Sequence, residues 1–218
     1  MKLSWANRIT ILRILLTVPF VICMLKINDT SLSSGLRHAA RYASFGFFIV
    51  MALSDALDGY LARRNNQITR LGAFLDPIAD KLLITCACLL LASSYGHVEG
   101  FRLPVTVVVL IIGKDLFILI GFVLIYLITS KVRIAPAFAG KTATALQLSL
   151  VSAILIAPEV SEFFPWWMWF LRSLWWSAAG MAVLSTIVYF RAGTRYIEQC
   201  ERDSKSAGDG EARQVNSH

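Results

Sequence analysis

Apolar residues run in long continuous stretches along this chain instead of alternating with polar ones. Each stretch approaches the about 20 residues that a helix needs to cross a bilayer, and runs with no two-residue period exclude a membrane β-barrel. The pattern predicts six transmembrane helices, over residues 9–26, 38–58, 72–94, 103–129, 138–157 and 169–190. The breaks between them carry loop chemistry: Asn28, Asp29 and Thr30, then Ser33, Ser34 and Gly35, then Asn65 and Asn66, Gly96 to Gly100, Ala135 and Pro136, and Pro158 to Pro165. The expected fold class is therefore all-α, an integral membrane bundle formed by one domain over 1–200, with no internal repeat. The polar stretch 201–218 is expected as a disordered tail.

Composition sharpens this picture. Of the 218 residues 56% are hydrophobic and 16% charged, well under the roughly 25% of soluble domains. The formal charge of +7 would point to nucleic acid in a soluble protein, but in a membrane protein basic residues set orientation and attract anionic headgroups. A nucleic-acid partner is excluded on that ground; membrane lipids are expected partners. With the N-terminus inside, the cytoplasmic side collects Lys2, Arg8, Arg13, Arg63, Arg64, Arg70, Lys81, Lys131, Arg133, Lys141 and the basic residues from Arg191 onward. Both termini are thus expected in the cytoplasm, in keeping with a bacterial inner membrane. Arg37 and Arg41 fit this least well, because they make the first outer loop basic. The first apolar stretch carries Arg13 and no small-residue cleavage site after it, so it reads as a retained helix. Trp166, Trp167, Trp169, Trp175 and Trp176 cluster with Phe163 and Phe164 as an aromatic belt would, with substrate stacking as the alternative. Cys23, Cys86, Cys88 and Cys200 show no metal or redox spacing, and no disulfide or zinc site is expected.

The acids are scarce, and their positions carry more information than the bases. Seven occur before Pro158, and four of these, Asp55, Asp58, Asp76 and Asp80, fall between the end of the second predicted helix and the start of the third. A carboxylate buried in a membrane costs roughly 2.5–3.5 kcal/mol on insertion scales. Asp55, Asp58 and Ala62 stand at i, i+3 and i+7, and Gly72, Asp76 and Asp80 at i, i+4 and i+8, so each set lines one helix face. A short connector makes the two helices antiparallel neighbours, so the faces can meet and form a cavity open to the cytoplasm. Four like charges repel unless cations sit among them, and an all-oxygen donor set calls for hard divalent ions, a pair of Mg²⁺ or Mn²⁺. Such pairs hold and polarise phosphoryl oxygens. Gly59, Ala62 and Gly72 leave room for a ligand, and Arg63 offers a guanidinium fork to phosphate.

The stretch 55–63, eight further residues, and 72–80 resemble the CDP-alcohol phosphatidyltransferase signature DxxDGxxAR-x8-GxxxDxxxD, with every fixed position present. The likeness extends to the six-helix layout and to Asn7, Thr10 and Arg13. It implies attack of an alcohol on a CDP-linked lipid, CDP-diacylglycerol, with release of CMP. It also implies Asp55, Asp58 and Asp76 as metal ligands, and Asp80 beside the metals as general base. Gly59, Ala62 and Arg63, with Gly72 and Thr10, would hold the CDP-lipid, and a homodimer is expected.

The acceptor is less closely marked. Ala135, Pro136, Gly140, Lys141, Thr142 and Gln147, with Gly113, Lys114 and Asp115, are similar to the branch of the family that takes glycerol 3-phosphate. A Lys–Asp pair deep in an apolar helix needs a partner or a wet cavity, and Lys114 with Arg133 or Lys141 is a candidate for binding the acceptor phosphate. The structural alternative is that Lys114 only neutralises an aspartate. Members of that branch typically carry Arg-Glu where this chain has Lys114-Asp115, which keeps the charges and loses the fork, so phosphatidylglycerol or inositol phosphate stay open as acceptors. Two other classes compete: a prenyltransferase, which usually carries two separated Asp-rich motifs, and a cation transporter, whose sites lie nearer midplane and often within repeats.

Overall fold

The computed structural model describes the backbone of residues 5–65, 70–129 and 138–215 and the side chains of 10–54, 81–121 and 140–195. Within these bounds the chain is all helix: α1 (Trp5–Leu25), α2 (Ser34–Asn65), α3 (Arg70–Ala92), α4 (Val105–Thr129), α5 (Phe138–Leu155), α6 (Ala157–Phe163) and α7 (Trp167–Val215). Where six helices were expected, the described residues hold seven. Pro158 supplies the reason. It has no N–H for the helical ladder and its ring collides with the carbonyl four residues back, so it favours a break and fits best in a helix's first turn. It stands in the first turn of α6, and α5 and α6 meet at 73°. Among the described side chains, the helical stretch Trp167–Arg195 is long and apolar enough to cross a membrane, and Gly140–Leu155 with Ala157–Phe163 passes that test as one bent pair.

Two helices run past their expected ends. α2 begins at Ser34 and reaches Asn65. α7 continues through 201–215, the segment expected to be a disordered tail. Glu-to-Arg and Glu-to-Lys spacings of four residues, at Glu198 and Arg202 and at Glu201 and Lys205, favour the first part of that continuation.

The helices pack in two groups joined through α5. α1 packs against α2 and α3, and α7 against α4 and α5, while α5 also touches α2 and α3. Phe20, Met24, Phe48, Met51, Ile84, Leu91, Ile111, Leu150, Ile154 and Leu171 are fully buried between them. Phe20 of α1 faces Phe48 of α2 with ring centroids 6.0 Å apart, and one turn along, the Thr17 hydroxyl lies 3.9 Å from Met51 Sδ. The α5–α7 contact is closer still: a methyl on Gly140 would stand 2.6 Å from the Tyr189 hydroxyl, so only glycine permits this approach.

Hydrogen bonds establish which helix ends lie together. Asn28, after α1, donates to the carbonyls of Tyr95 at 3.1 Å and His97 at 2.7 Å, after α3. Arg41, near the start of α2, reaches the end of α5: Nη1 donates to Leu155 O at 3.5 Å and to Glu159 Oε2 at 3.1 Å, and Nη2 donates to Glu159 Oε1. The Tyr42 hydroxyl adds a bond to Glu159 Oε1 at 2.6 Å. The connections after α1, α3 and α5 therefore share one end of the bundle. The start of α1, the end of α2, the start of α3, the end of α4 and the start of α5 share the other.

The exposed aromatic cluster, with Phe163, Phe164, Trp166 and Trp169 all more than half exposed, marks the first of these ends. So does Arg41, whose basic character sat poorly with the charge rule. Its guanidinium is 5% exposed and forked onto a carboxylate, so its charge is matched locally. This geometry predicts an asymmetry. Glu159→Ala strands a buried guanidinium and should destabilise the protein by about 3 kcal/mol. Arg41→Met leaves a Glu159 that is one-third exposed and still hydrated, so it should destabilise by less. Unfolding in detergent followed by circular dichroism measures both; equal losses would show that the pair is not what anchors α6.

Candidate active site

The residues of the acidic motif occupy two consecutive helices at the end opposite the aromatic cluster. Asp55, Asp58, Gly59, Ala62 and Arg63 lie in the last turns of α2, and Gly72, Asp76 and Asp80 in the first turns of α3. Their side chains, and the whole of Arg133, lie outside the described residues. At 1.5 Å per residue the four aspartates sit about 9–15 Å in from the ends of their helices. Among the described side chains no group of three or more His, Cys, Asp or Glu forms.

α1 presents a polar face to this region. Thr10, Arg13 and Thr17 stand at i, i+3 and i+7, and all three are at most 5% exposed. The Thr17 hydroxyl donates to the Arg13 carbonyl at 2.9 Å. The antiparallel register defined by Phe20 with Phe48 and Thr17 with Met51 continues toward the start of α1. Carried on by one and two turns, it brings Arg13 level with Asp55 and Thr10 level with Asp58 of α2. A buried guanidinium level with the motif offsets carboxylate charge or holds phosphate, and α1 thus supplies a third wall.

α4 supplies a fourth element of charge. Lys114 and Asp115 are 3% and 7% exposed, and Asp115 Oδ1 lies 2.9 Å from Lys114 Nζ and 2.9 Å from Lys81 Nζ of α3. Lys81 directly follows Asp80, so this cluster of two lysines and one aspartate joins α4 to the helix that carries the second aspartate pair. Sequence reasoning had counted Lys81 only among the cytoplasmic bases. The signal was present in its position beside Asp80, but the partner lies 34 residues away across a helix–helix contact that no local spacing encodes. Lys141 is exposed near the start of α5, on the end of the bundle where the acidic motif lies.

These elements converge on one task. Helix ends bearing carboxylates, a buried arginine and two lysines around Asp115 stand at one end of an apolar bundle, an arrangement suited to a polyanion that approaches from that side.

Comparison with known proteins bears on which polyanion. A family model described as CDP-alcohol phosphatidyltransferase matches residues 3–187. A Bacillus subtilis protein named CDP-diacylglycerol–glycerol-3-phosphate 3-phosphatidyltransferase is 35% identical over 158 residues, 69% of this chain and 75% of that protein. Proteins of the same name from Pseudomonas fluorescens and Escherichia coli K12 are 31% and 28% identical, each across 88% of this chain and across 91% and 96% of their own lengths.

The charge cluster yields a prediction independent of substrate. Asp115→Ala leaves two closely spaced ammonium groups without their shared carboxylate and should destabilise the fold by about 3 kcal/mol. Lys81→Met, at a side chain one-third exposed, should have a smaller effect. Thermal unfolding of the two variants in one detergent tests this; an Asp115→Ala variant as stable as the parent would show that the cluster does not tie α3 to α4.

Proposed function

Because the chain belongs to the CDP-alcohol phosphatidyltransferase family and is an enzyme of phospholipid biosynthesis, we propose that it moves the phosphatidyl group of CDP-diacylglycerol onto glycerol 3-phosphate, as a phosphatidylglycerophosphate synthase. The observation that carries this reading is the agreement between two things. All fixed positions of the signature are present on α2 and α3, and relatives named for this reaction match over at least three quarters of their own length.

In the proposed reaction the acceptor hydroxyl oxygen attacks the phosphatidyl phosphorus, the bond from that phosphorus to the bridging diphosphate oxygen breaks, and CMP departs. Asp80 takes the hydroxyl proton. Asp55, Asp58 and Asp76, with Asp80 at their edge, would hold two divalent cations, Mg²⁺ or Mn²⁺, and their all-carboxylate chemistry suits such ions. When bound, the cations supply charge neutralisation for the diphosphate. Gly59, Ala62 and Gly72 keep the walls small enough for the cytidine diphosphate, and Arg63 and Thr10 contribute donors to it. Lys114, Lys141 and Arg133 are the proposed partners of the acceptor phosphate.

The proposal includes six crossings, α1, α2, α3, α4, the bent α5–α6 pair and α7, in a bacterial inner membrane. Both termini lie in the cytoplasm and the aspartate end opens to it. The end-to-end arrangement of the helices and the basic residues around Lys81, Lys141 and Arg191 support this orientation. A homodimer is part of the proposal on the family resemblance.

Purified protein given CDP-diacylglycerol and single acceptors tests the reading through CMP release. Glycerol 3-phosphate should support turnover in Mg²⁺ or Mn²⁺, and a chelator should abolish it. Asp80→Asn should lower kcat by about 10²–10⁴-fold. Turnover with phosphatidylglycerol or inositol phosphate and none with glycerol 3-phosphate would replace the acceptor; no release with any alcohol would overturn the reaction class.

A further inference from the structure

Gln147 of α5 has no exposed surface, and neither its amide nitrogen nor its amide oxygen has a hydrogen-bond partner. Ser185 of α7 is also fully buried with an unpartnered hydroxyl. Other hydroxyls on the same two helices behave differently. Thr144, Ser152 and Thr186 each donate to the carbonyl four residues earlier, at 3.1, 2.9 and 3.0 Å. Buried polar atoms almost always find partners, and each one left without costs about 1–3 kcal/mol. Two such side chains on adjoining helices call for a ligand.

Their place says which ligand. The Gly140–Tyr189 contact sets the register of α5 against α7 and puts Gln147 and Ser185 about one turn apart on facing helices. α5 also packs against α2 and α3, the two helices that carry the aspartates. Gln147 lies nine residues into α5, about 14 Å from the end it shares with them, which is the depth of Asp55, Asp58, Asp76 and Asp80. The amide offers one donor group and one acceptor group and carries no charge, and the serine hydroxyl is likewise both donor and acceptor. A phosphate needs donors only and a cation needs acceptors only. A neutral hydroxyl, which donates and accepts, matches the pair.

We propose that Gln147, assisted by Ser185, reads the non-reacting hydroxyl of the acceptor and so is a specificity-determining residue. The inference rests on the proposed reaction with glycerol 3-phosphate, whose two hydroxyls divide the work. One attacks phosphorus, and the other is held by Gln147 at the depth of the aspartates. An acceptor lacking the second hydroxyl would leave the amide buried and unpaired, which is how a polar pocket rejects a deoxy analogue.

The test compares glycerol 3-phosphate with 3-hydroxypropyl phosphate, which keeps the terminal hydroxyl and lacks the middle one. In the parent enzyme kcat/KM should favour glycerol 3-phosphate by roughly ten- to a hundredfold. In Gln147→Met, close in length and apolar, that ratio should fall to about threefold or less, with the KM for CDP-diacylglycerol unchanged and thermal stability equal or higher. Ser185→Ala should reduce the ratio in part, and it carries the test if Gln147→Met does not fold. Equal efficiency of the two acceptors in the parent, or an undiminished ratio in the variants, overturns the inference and leaves the amide to an internal water. No turnover with either acceptor in the parent overturns the functional reading, and this inference with it.

Discussion

An apolar helical bundle has no water inside to solvate a charge, so every ionic side chain within it must be matched by another group of the same bundle or by what the bundle binds. That constraint organises this protein. Arg41 is buried and is matched by Glu159; Asp115 is buried and is matched by Lys114 and Lys81. The Arg41–Glu159 and Lys81–Asp115 matches cross from one helix to another, so the electrostatic requirement also fixes which helices touch. The apolar core, from Phe20 and Phe48 to Ile154 and Leu171, fills the space between these cross-links and supplies bulk burial.

The two ends of the bundle meet the constraint in different ways. At the aromatic end several polar groups are paired across the protein: the Arg41 fork on Glu159, the Tyr42 hydroxyl beside it, and Asn28 spread over two carbonyls of the α3–α4 connection, while Arg37 Nε and the Trp167 ring nitrogen are buried there without a hydrogen-bond partner. Such closed networks hold α1, α2, α3 and α6 in fixed relation. At the other end, side chains with unspent hydrogen-bonding capacity are buried at one depth on several helices, with Gln147 and Ser185 as described examples. Cross-links that hold one end in shape suit a site built at the other.

Much of this was legible in the sequence and some was not, for identifiable reasons. The helix-forming runs and the motif aspartates follow from local spacing, and local spacing is what a helix enforces. The break at Pro158 was legible too, but the loop residues from Pro158 to Pro165 hid the short α6 that a proline in its first turn permits. Arg41 and Glu159 lie 118 residues apart, and Lys81 and Asp115 lie 34 apart. Nothing in either neighbourhood names the partner, since the pairing depends on how the helices pack against one another. The chemistry of Gln147 could be read from the sequence, whereas its complete burial without a partner could not.

The Arg-Glu pair that the resemblance leads one to expect at Lys114-Asp115 differs from it in a way this arrangement gives physical meaning. A guanidinium fork that grips one carboxylate bidentately commits two of its donors in one plane. An ammonium is a compact charge with three donors pointing in separate directions, so it can contact Asp115 and leave the others for different partners. The shorter aspartate receives Lys114 and Lys81 on the same oxygen, both at 2.9 Å, beside the helix of Asp76 and Asp80. The substitution therefore exchanges a planar, directional grip for a small, multidirectional charge. A phosphate that must be bound through charge and released after transfer is served by either, so the departure from the usual pair weighs on geometry more than on the kind of acceptor the site can hold.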